Sequence, residues 1–359
     1  MKIKKTCVIG LGYIGLPTAA LLASLGTEVY GLEINSKVVE EIHIVEPNLQ
    51  KMVKDAVNSG LLRAGTEPEH ADVFVVAVPT PFKSKVNGIP EPDISYIEAA
   101  IVSIAPVLKQ GNIVILESTS PVGTTRQMCS WLKALRPDLD IANSQSTSLD
   151  IHVAYCPERV LPGNVITELV TNDRTVGGVT PACSAKASEF YKIFCQGNCF
   201  LTNPETAEMA KLTENSFRDV QIAFANELSM ICDSLSINVW ELIRLANLHP
   251  RVDILEPGPG VGGHCIAVDP WFIVNKSPKQ AKLIRLAREI NDEKIDWVIN
   301  KIYDSLKSPR MLEKKAEYQS VKVILYGLTF KPDIDDLRES PSIKIANALC
   351  ENLSIELLA

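Results

Sequence analysis

The chain has 359 residues, 46% of them hydrophobic and 22% charged, and its formal net charge is −7. These values are typical of a soluble globular protein of roughly two or three domains, and the negative charge argues against a broad nucleic-acid-binding surface. The sequence has no apolar run of about 18 residues and no signal peptide, so we predict a cytoplasmic protein that does not bind membranes.

The nine cysteines show neither zinc-ligand nor C-x-x-C spacing. We therefore predict free thiols in a reducing compartment, and no metal site. Cys7 and Cys232 lie within apolar strand and helix patterns, which predicts that both belong to the core.

A glycine-rich turn lies close to the N-terminus. A buried strand predicted over residues 5–10 runs into GLGYIG, and a helix and a second strand follow before Glu33. This order is the fingerprint of a dinucleotide-binding fold. Gly10 is expected to make the tight turn, Gly12 to let the backbone approach a pyrophosphate, and Gly15 to let the helix pack closely on the strand. Glu33 is placed to accept hydrogen bonds from a ribose 2′-hydroxyl and would repel a 2′-phosphate, which predicts NAD rather than NADP.

Short apolar strands alternate with helices over residues 1–199. This alternation predicts an α/β domain of the Rossmann type, built on a doubly wound parallel sheet. Ligands bind at the carboxyl ends of such strands. Thr80, Thr119 and Glu158 each follow a predicted strand, so we expect all three at the ligand site.

Residues 200–306 are predicted to form a helical connecting and dimerisation domain. Its longest helix carries an apolar stripe formed by Val220, Phe224, Leu228 and Ile231. This stripe is larger than a small domain needs, so the helix is expected to join domains or subunits; a purely intramolecular core is the alternative.

A polar linker is predicted over residues 307–319, followed over 320–359 by the start of a second Rossmann-like domain. One strand, one helix and part of a further strand cannot form an independent α/β domain. We therefore expect that this part pairs elsewhere or that the C-terminus is missing.

The segment 257–270, PGPGVGGHCIAVDP, contains four glycines and three prolines, a composition that predicts a fixed, ligand-accessible loop. The loop carries Cys265 and Asp269. A thiol presented in this way indicates covalent catalysis, and a small buried side chain is the alternative for Cys265.

Three polar residues of the long predicted helix, Lys211, Asn215 and Arg218, share one face. Together they suit an oxyanion and a phosphate, although a solvated helix face would show the same pattern. Arg251 lies just before the cysteine loop and is a candidate for a second phosphate contact, with His249 beside it.

A cysteine nucleophile beside NAD has a specific use. Attack of a thiolate on an aldehyde gives a thiohemiacetal, which can lose hydride to become a thioester that water hydrolyses. Asp269 and Glu158 are candidates for activating this water. Lys211 and Asn215 are candidates for stabilising the negative charge that develops on the carbonyl oxygen.

Taken together, the motifs resemble those of the UDP-glucose/GDP-mannose dehydrogenase family over essentially the whole chain. The matching stretches are GLGYIGLPTA (10–19), VPTP (78–81), STSPVGTT (118–125), YCPERVLPG (155–163), EMAKLTENSFRD (208–219), HPRV (249–252), PGPGVGGHCIAVDPWF (257–272) and GLTFKPDIDDLRESPS (327–342).

This resemblance implies a four-electron oxidation of a UDP-sugar C6 alcohol to a uronate with two NAD and one water. It also implies two Rossmann-like domains joined by a helical dimerisation domain, a homodimer or higher homo-oligomer, and further residues after Ala359 that would complete the second domain. The implied catalytic residues are Cys265 as nucleophile, Lys211 as charge stabiliser or proton donor, Asn215 and Asp269 as holders or activators of water, and Thr119 and Glu158 as assisting groups.

The resemblance also implies two sets of binding residues. Those for the UDP-sugar are Arg159, Val160, Lys211, Asn215, Arg218, His249, Arg251, Gly262 and Lys331, and those for NAD are Gly10, Gly12, Tyr13, Ile14, Gly15, Glu33, Thr80, Thr119 and Arg338.

Three details concern the substrate and the alternatives. Val268 before Asp269, with HPRV and GGHC, resembles the N-acetylhexosamine branch of the family, so UDP-N-acetylmannosamine is the expected substrate and UDP-N-acetylglucosamine the alternative.

A single-step hydroxyacid dehydrogenase would also place a lysine and an amide one helical turn apart, but it has no use for Cys265. An inactive nucleotide-sugar-binding protein is a further alternative if the C-terminus is absent.

Overall fold

The structure is a computed structural model that describes residues 3–35, 47–86, 88–141, 149–160, 163–307, 321–331, 337–351 and 355–358. The chain divides into two compact units, Met1–Lys211 (unit 1) and Leu212–Ala359 (unit 2). The predicted linker lies outside the described residues from residue 308 onward.

Unit 1 alternates strands and helices as its sequence predicts. Its strands are β1 (Lys5–Ile9), β2 (Glu28–Leu32), β3 (Leu62–Gly65), β4 (Val73–Val76), β5 (Phe82–Val86), β6 (Ile89–Pro92), β7 (Ile113–Leu116), β8 (His152–Tyr155), β9 (Arg174–Gly178) and β10 (Cys199–Thr202). Its helices are α1 (Gly15–Ser24), α2 (Pro47–Asn58), α3 (Ser95–Ile104), α4 (Thr124–Leu135), α5 (Val165–Thr171), α6 (Pro181–Tyr191) and the beginning of α7 (Pro204–Ser234), which continues into unit 2.

Eight of the strands form one sheet in the order β10-β9-β8-β7-β4-β1-β2-β3. Its pairs are parallel except for β8 with β9, which run antiparallel. The predicted Rossmann-type α/β fold is therefore confirmed, with one antiparallel pair that the alternation of elements did not reveal. The hairpin of β5 and β6 was not predicted either, because its residues FKSKV and IPEP lack a buried apolar run.

The central strands are apolar because both faces of the sheet are covered. In β1, Val8 belongs to one hydrophobic cluster, whereas Cys7 and Ile9 belong to the other. This division follows from the two-residue period of a strand. Helices α1 and α2 pack on the face of Val8, and α3 and α4 pack on the opposite face.

Unit 2 is mainly helical. Besides the rest of α7 it contains α8 (Val239–Ala246), α9 (Asp269–Lys276), α10 (Lys282–Leu306) and α11 (Pro341–Cys350), with strands β11 (Val321–Ile324) and β12 (Ile355–Leu358). The two strands pair in parallel, and Ile345 and Leu349 of α11 join Ile295 of α10 in a small hydrophobic cluster. None of the described helices is both long and apolar enough to cross a membrane.

Buried polar side chains connect α7 and α10 within unit 2. Arg288 donates to Asp219 Oδ1 at 2.7 Å, and Asn291 Nδ2 donates to the same oxygen at 2.8 Å. The side chains of Arg288 and Asp219 are 1% and 0% exposed. Two charges removed from water in this way are stable only as a pair, so each depends on the other.

This pair yields a stability prediction. Arg288→Met should lower the free energy of unfolding by about 3–5 kcal/mol, because it leaves the Asp219 carboxylate buried without its cation. Arg285→Met, on the same helix, is the matched control: Arg285 is exposed and pairs only at the surface with Glu289, so its loss should cost about 0.5 kcal/mol or less. Urea unfolding measures both, and equal losses in the two variants would contradict the prediction.

Candidate active site

The glycine turn after β1 has the geometry that a dinucleotide requires. Gly10 has φ +90°, a backbone conformation that residues other than glycine rarely adopt. A Cβ on Gly15 would overlap the carbonyl oxygen of Gly10, so the N-terminus of α1 packs directly on the turn. A Cβ on Gly12 would have no atom within 4 Å, and Gly12 is exposed. The backbone at Gly12 is therefore open to a ligand.

Glu33 lies beside this turn. Its Oε2 accepts a hydrogen bond of 2.9 Å from the N–H of Leu11, and its Oε1 accepts one of 3.1 Å from Asn35. The carboxylate at the end of β2 is thereby fixed next to the residues that precede α1. An open glycine backbone, a helix N-terminus and a fixed acid are a set that fits NAD.

The predicted ligand residues at the other strand ends are linked through one loop. Thr80, after β4, donates its hydroxyl to the carbonyl oxygen of Thr119 at 2.7 Å. The same loop leads into α4, where Glu208 accepts hydrogen bonds from Gly123 N–H at 2.6 Å and from both the N–H and the hydroxyl of Thr125, at 2.8 and 2.6 Å. A buried carboxylate from α7 therefore caps α4 and fixes the Thr119 loop.

Glu208 was not predicted from the sequence. Burial raises the pKa of its carboxyl, and the donors at Thr125 and Gly123 oppose this shift. Glu208 lies one helical turn before Lys211, and this position alone does not indicate its role. Its hydrogen-bond partners Thr125 and Gly123 lie 83 and 85 residues away in the chain. Only the fold brings them together.

Lys211 and Glu158 meet, although not as two opposite charges. Lys211 Nζ donates to the main-chain carbonyl oxygen of Glu158 at 2.7 Å. The Glu158 carboxylate turns inward, where Oε2 accepts from Arg174 Nη2 at 3.1 Å and Oε1 from the N–H of Arg159 at 2.6 Å. The Arg159 guanidinium donates to Asp173 O at 3.2 Å and Thr175 Oγ1 at 2.9 Å.

In unit 2 the glycines of the cysteine loop allow close packing. A Cβ on Gly262 would overlap the side chain of Phe330, and Gly263, with φ +82°, donates its N–H to the carbonyl oxygen of Arg338 at 2.9 Å. At the start of the loop, Gly258 N–H donates to Asn226 Oδ1 at 2.9 Å. The loop is therefore held at its start and near its middle, where it lies against Phe330 and the main chain of Arg338 and Glu339.

Cys265 differs from most other cysteines of the chain. Its carbonyl oxygen accepts from the N–H groups of Val268 and Asp269 at 3.1 and 2.8 Å, so it lies one turn before α9, and it is partly exposed. Cys7 and Cys232 are 0% and 2% exposed, which confirms them as core residues. Burial raises the pKa values of the Cys7, Cys129 and Cys156 thiols to about 12. The alternative of a small buried side chain thus fits those cysteines and not Cys265.

Asp269 begins α9 and is 2% exposed. Its Oδ2 accepts a hydrogen bond of 2.5 Å from Asn215 Nδ2. The N-terminal end of a helix attracts negative charge. The structure therefore brings together two of the residues predicted to hold or activate water.

The remaining predicted residues are more open. Tyr13 is exposed and Ile14 partly buried at the start of α1, and Val160 is partly buried after Arg159. Arg218 lies on α7, while His249 and Arg251 lie in the turn after α8, where Arg251 N–H donates to His249 Nδ1 at 3.3 Å. These three residues, with Lys331 and Arg338, are exposed.

The fold of unit 1 and its glycine turn define the NAD-binding domain of a dehydrogenase. Residues 4–195 match the model of the NAD binding domain of the UDP-glucose/GDP-mannose dehydrogenase family, residues 205–293 match its central domain, and residues 324–356 match its UDP binding domain. The chain belongs to the UDP-glucose/GDP-mannose dehydrogenase family. The predicted family and the predicted cofactor, NAD, are thereby confirmed.

Several individual proteins are similar over most of the chain. The UDP-N-acetyl-D-mannosamine dehydrogenase of Escherichia coli (strain K12) is 59% identical over 349 residues, which cover 96% of this chain and 82% of that protein. The NDP-N-acetyl-D-galactosaminuronic acid dehydrogenase of Ralstonia nicotianae is 56% identical over 349 residues, covering 96% and 79%. Among solved structures, the UDP-D-ManNAc dehydrogenase of Pyrococcus horikoshii matches with a TM-score of 0.87 at 38% identity, covering 99% of this chain and 82% of that one.

Two glycine variants separate packing from cofactor binding. Gly15→Ala should lower the free energy of unfolding by about 1–3 kcal/mol, because its methyl group meets the Gly10 carbonyl. Gly12→Ala, three residues earlier in the same turn, should leave the melting temperature nearly unchanged and weaken NAD binding, because its methyl group occupies space open to the ligand. Thermal unfolding and calorimetric titration with NAD measure the two effects. A Gly12→Ala variant that binds NAD as tightly as the wild type would contradict this assignment.

Proposed function

We propose that this protein oxidises the C6 alcohol of UDP-N-acetyl-D-mannosamine to the carboxylate, using NAD. The observation that carries the proposal is the partly exposed Cys265, fixed one turn before the buried Asp269, which accepts a hydrogen bond from the partly buried Asn215. The 59% identity with a UDP-N-acetyl-D-mannosamine dehydrogenase supports the substrate. The free state of all nine cysteines fits a reducing compartment such as the cytoplasm.

The chemistry requires two oxidations in succession. NAD, when bound, accepts hydride from C6 of the sugar in each of them. After the first oxidation the Cys265 thiolate adds to the aldehyde carbon, forming a C–S bond and an alkoxide. The resulting thiohemiacetal carries the hydrogen that the second oxidation removes, leaving a thioester. Water cleaves the C–S bond, so one alcohol, one water and two NAD give one carboxylate, two NADH and three protons.

Each polar residue of the site has a proposed part in this sequence. The Lys211 ammonium stabilises the alkoxide and returns or receives its proton, with Asn215 as a second donor. Asp269, held by Asn215, accepts a proton from the attacking water. Thr119 and Glu158 assist by holding the loop and the turn on which the other groups depend.

We assign binding of the nucleotide sugar to a set of basic side chains and their neighbours, because guanidinium and ammonium groups bind diphosphates. These residues are Arg159, Val160, Arg218, His249, Arg251, Gly262 and Lys331. Exposed Tyr13 and Arg338 are assigned to NAD together with Ile14, Glu33, Thr80 and the glycine turn.

We also propose a homodimer formed through α7. Phe217, Phe224 and Ile231 recur every seven residues on this helix and are 63%, 52% and 44% exposed. Such an apolar row on one helix face is costly in water and is typical of a helix that packs against another chain.

The substrate is tested with a panel of UDP-sugars. UDP-N-acetylmannosamine should yield about two NADH per sugar, a uronate by mass spectrometry and no free aldehyde. UDP-N-acetylglucosamine, UDP-N-acetylgalactosamine and UDP-glucose should react much more slowly. One NADH per sugar would indicate a single-step dehydrogenase. Binding of sugar and NAD without NADH formation would indicate an inactive binding protein, and a faster reaction with another sugar would reassign the substrate.

The nucleophile is tested by Cys265→Ser. Uronate formation should fall by about three orders of magnitude or more, because an alcohol is a far weaker nucleophile than a thiolate at neutral pH. Cys350→Ser is the matched control, since Cys350 is exposed and lies on α11 without a proposed role. Normal uronate production by Cys265→Ser would exclude the covalent mechanism.

The dimer is tested by Phe224→Glu, which places a charge in the middle of the apolar row. Sedimentation velocity should show a dimer for the wild type and a monomer for this variant. Val102→Glu is the control, because Val102 is 48% exposed on α3 and lies outside the row. A wild type that sediments as a monomer at all concentrations would overturn the proposal.

A further inference from the structure

Three ionisable side chains lie together inside unit 1, two acids and one base. Glu117 follows β7, Glu158 lies in the turn after β8, and Arg174 begins β9. They are 2%, 7% and 3% exposed. Two carboxylates therefore share a single guanidinium in a region from which water is excluded.

The two acids are not equivalent. Glu158 Oε2 accepts from Arg174 Nη2 at 3.1 Å, and its Oε1 accepts the N–H of Arg159. Glu117 Oε1 lies 3.9 Å from Arg174 Nη1, beyond hydrogen-bonding distance, and accepts a hydrogen bond from the Tyr191 hydroxyl at 3.2 Å. The other oxygen, Glu117 Oε2, is buried and has no hydrogen-bond partner among the residues that the structure describes. Glu158 thus carries the contacts that suit a carboxylate, and Glu117 carries those of a neutral acid.

The groups facing Glu117 agree with this assignment. Besides Glu158 and Arg174 they are Tyr191 of α6 and Cys156, next to β8. Burial, and after it the charge of Glu158, raises the pKa of Glu117 to about 8. Burial also raises the pKa of Cys156 to about 12 and that of Tyr191 well above its usual value, so both are neutral where Glu117 titrates.

Arg174 is held rigidly. Its guanidinium lies over the rings of Tyr191 and Phe194, with centroid distances of 4.6 and 5.2 Å, and donates to Leu169 O at 3.1 Å as well as to Glu158. Such stacking and hydrogen bonding fix a guanidinium in one orientation. Arg174 holds the side chain of Glu158, and the main-chain carbonyl oxygen of Glu158 accepts a hydrogen bond of 2.7 Å from the Lys211 ammonium.

We propose that Arg174 is a positioning residue, which fixes the Glu158 turn and through it Lys211, and that Glu117 beside it is a protonated acid at neutral pH. When Glu117 is neutral, Glu158 is the carboxylate that pairs with the charge of Arg174. When Glu117 loses its proton, the two carboxylates compete for one cation and the Glu158 turn loosens. The kinetic part of this proposal rests on the proposed dehydrogenase function; the protonation of Glu117 does not.

Arg174→Lys tests the positioning. Lysine keeps the charge and loses the planar, stacked pair of donors, so kcat should fall about tenfold or more while the NAD affinity stays near that of the wild type. Arg63→Lys, an exposed arginine at the surface, is the control. Kinetics are measured with whichever UDP-sugar the wild type oxidises, and circular dichroism verifies the fold. An unchanged kcat in folded Arg174→Lys, or an equal loss of NAD affinity, would overturn the positioning role.

Glu117→Gln tests the proton without any substrate. The folded-state pKa of Glu117 lies above the unfolded value of 4.5, so the folded state holds the proton more tightly and wild-type stability falls as pH rises from about 4.5 to about 8. Glutamine cannot titrate, so the melting temperature of Glu117→Gln relative to wild type should increase between about pH 6 and pH 9. Glu189→Gln, at an exposed position of α6, should show no such trend.

Two further readouts complete this test. An infrared difference spectrum of wild type minus Glu117→Gln should show the C=O stretch of a protonated carboxyl at neutral pH and lose it in alkali. In Glu117→Gln the alkaline decline of kcat should move to higher pH. Absence of the carboxyl band, or a stability difference that does not depend on pH, would refute the protonated Glu117 even if the enzyme oxidises its substrate as proposed.

Discussion

The hydrogen bond from Lys211 Nζ to the main-chain carbonyl oxygen of Glu158, at 2.7 Å, is the interaction on which the position of the proposed catalytic ammonium depends. A carboxylate in the same place would orient the ammonium and also cancel its charge. A carbonyl oxygen orients it and leaves the charge to act on a developing oxyanion. The hydrogen bond to a carbonyl oxygen also makes the position of Lys211 depend on the backbone turn at Glu158. The buried contact between the Glu158 carboxylate and Arg174 fixes this turn.

Unit 2 uses the same strategy of fixing a reactive group through its main chain. The cysteine loop is held by N–H groups at Gly258 and Gly263, and Cys265 itself by the hydrogen bonds that start α9. Glycine is required because Phe330 packs where a side chain at Gly262 would lie. In the same unit, the hydrogen-bonded Asn215–Asp269 pair is the group proposed to act on water.

Local patterns predicted the alternation of strands and helices in unit 1, the glycine turn, Glu33 and the cysteine loop, because each depends on residues close together in sequence. The contact of Lys211 with a carbonyl rather than a carboxylate joins residues 53 apart, and the capping of α4 by Glu208 joins residues 83 and 85 apart. Neither has a local signature. The strand RTVGG does contain one hint, a charged residue opening an otherwise uncharged strand, which requires a partner if it is buried.

Two relatives that are named for different sugars are 59% and 56% identical to this chain. The candidate chemical groups, such as Asp269, Glu158 and Lys211, are buried or partly buried, and each makes a defined hydrogen bond. The candidate sugar-nucleotide contacts Arg218 and Arg251 are exposed side chains with many rotamers. Exposed side chains can change without disturbing the fold. Selection among epimers is therefore expected to vary within this family more readily than the oxidation itself.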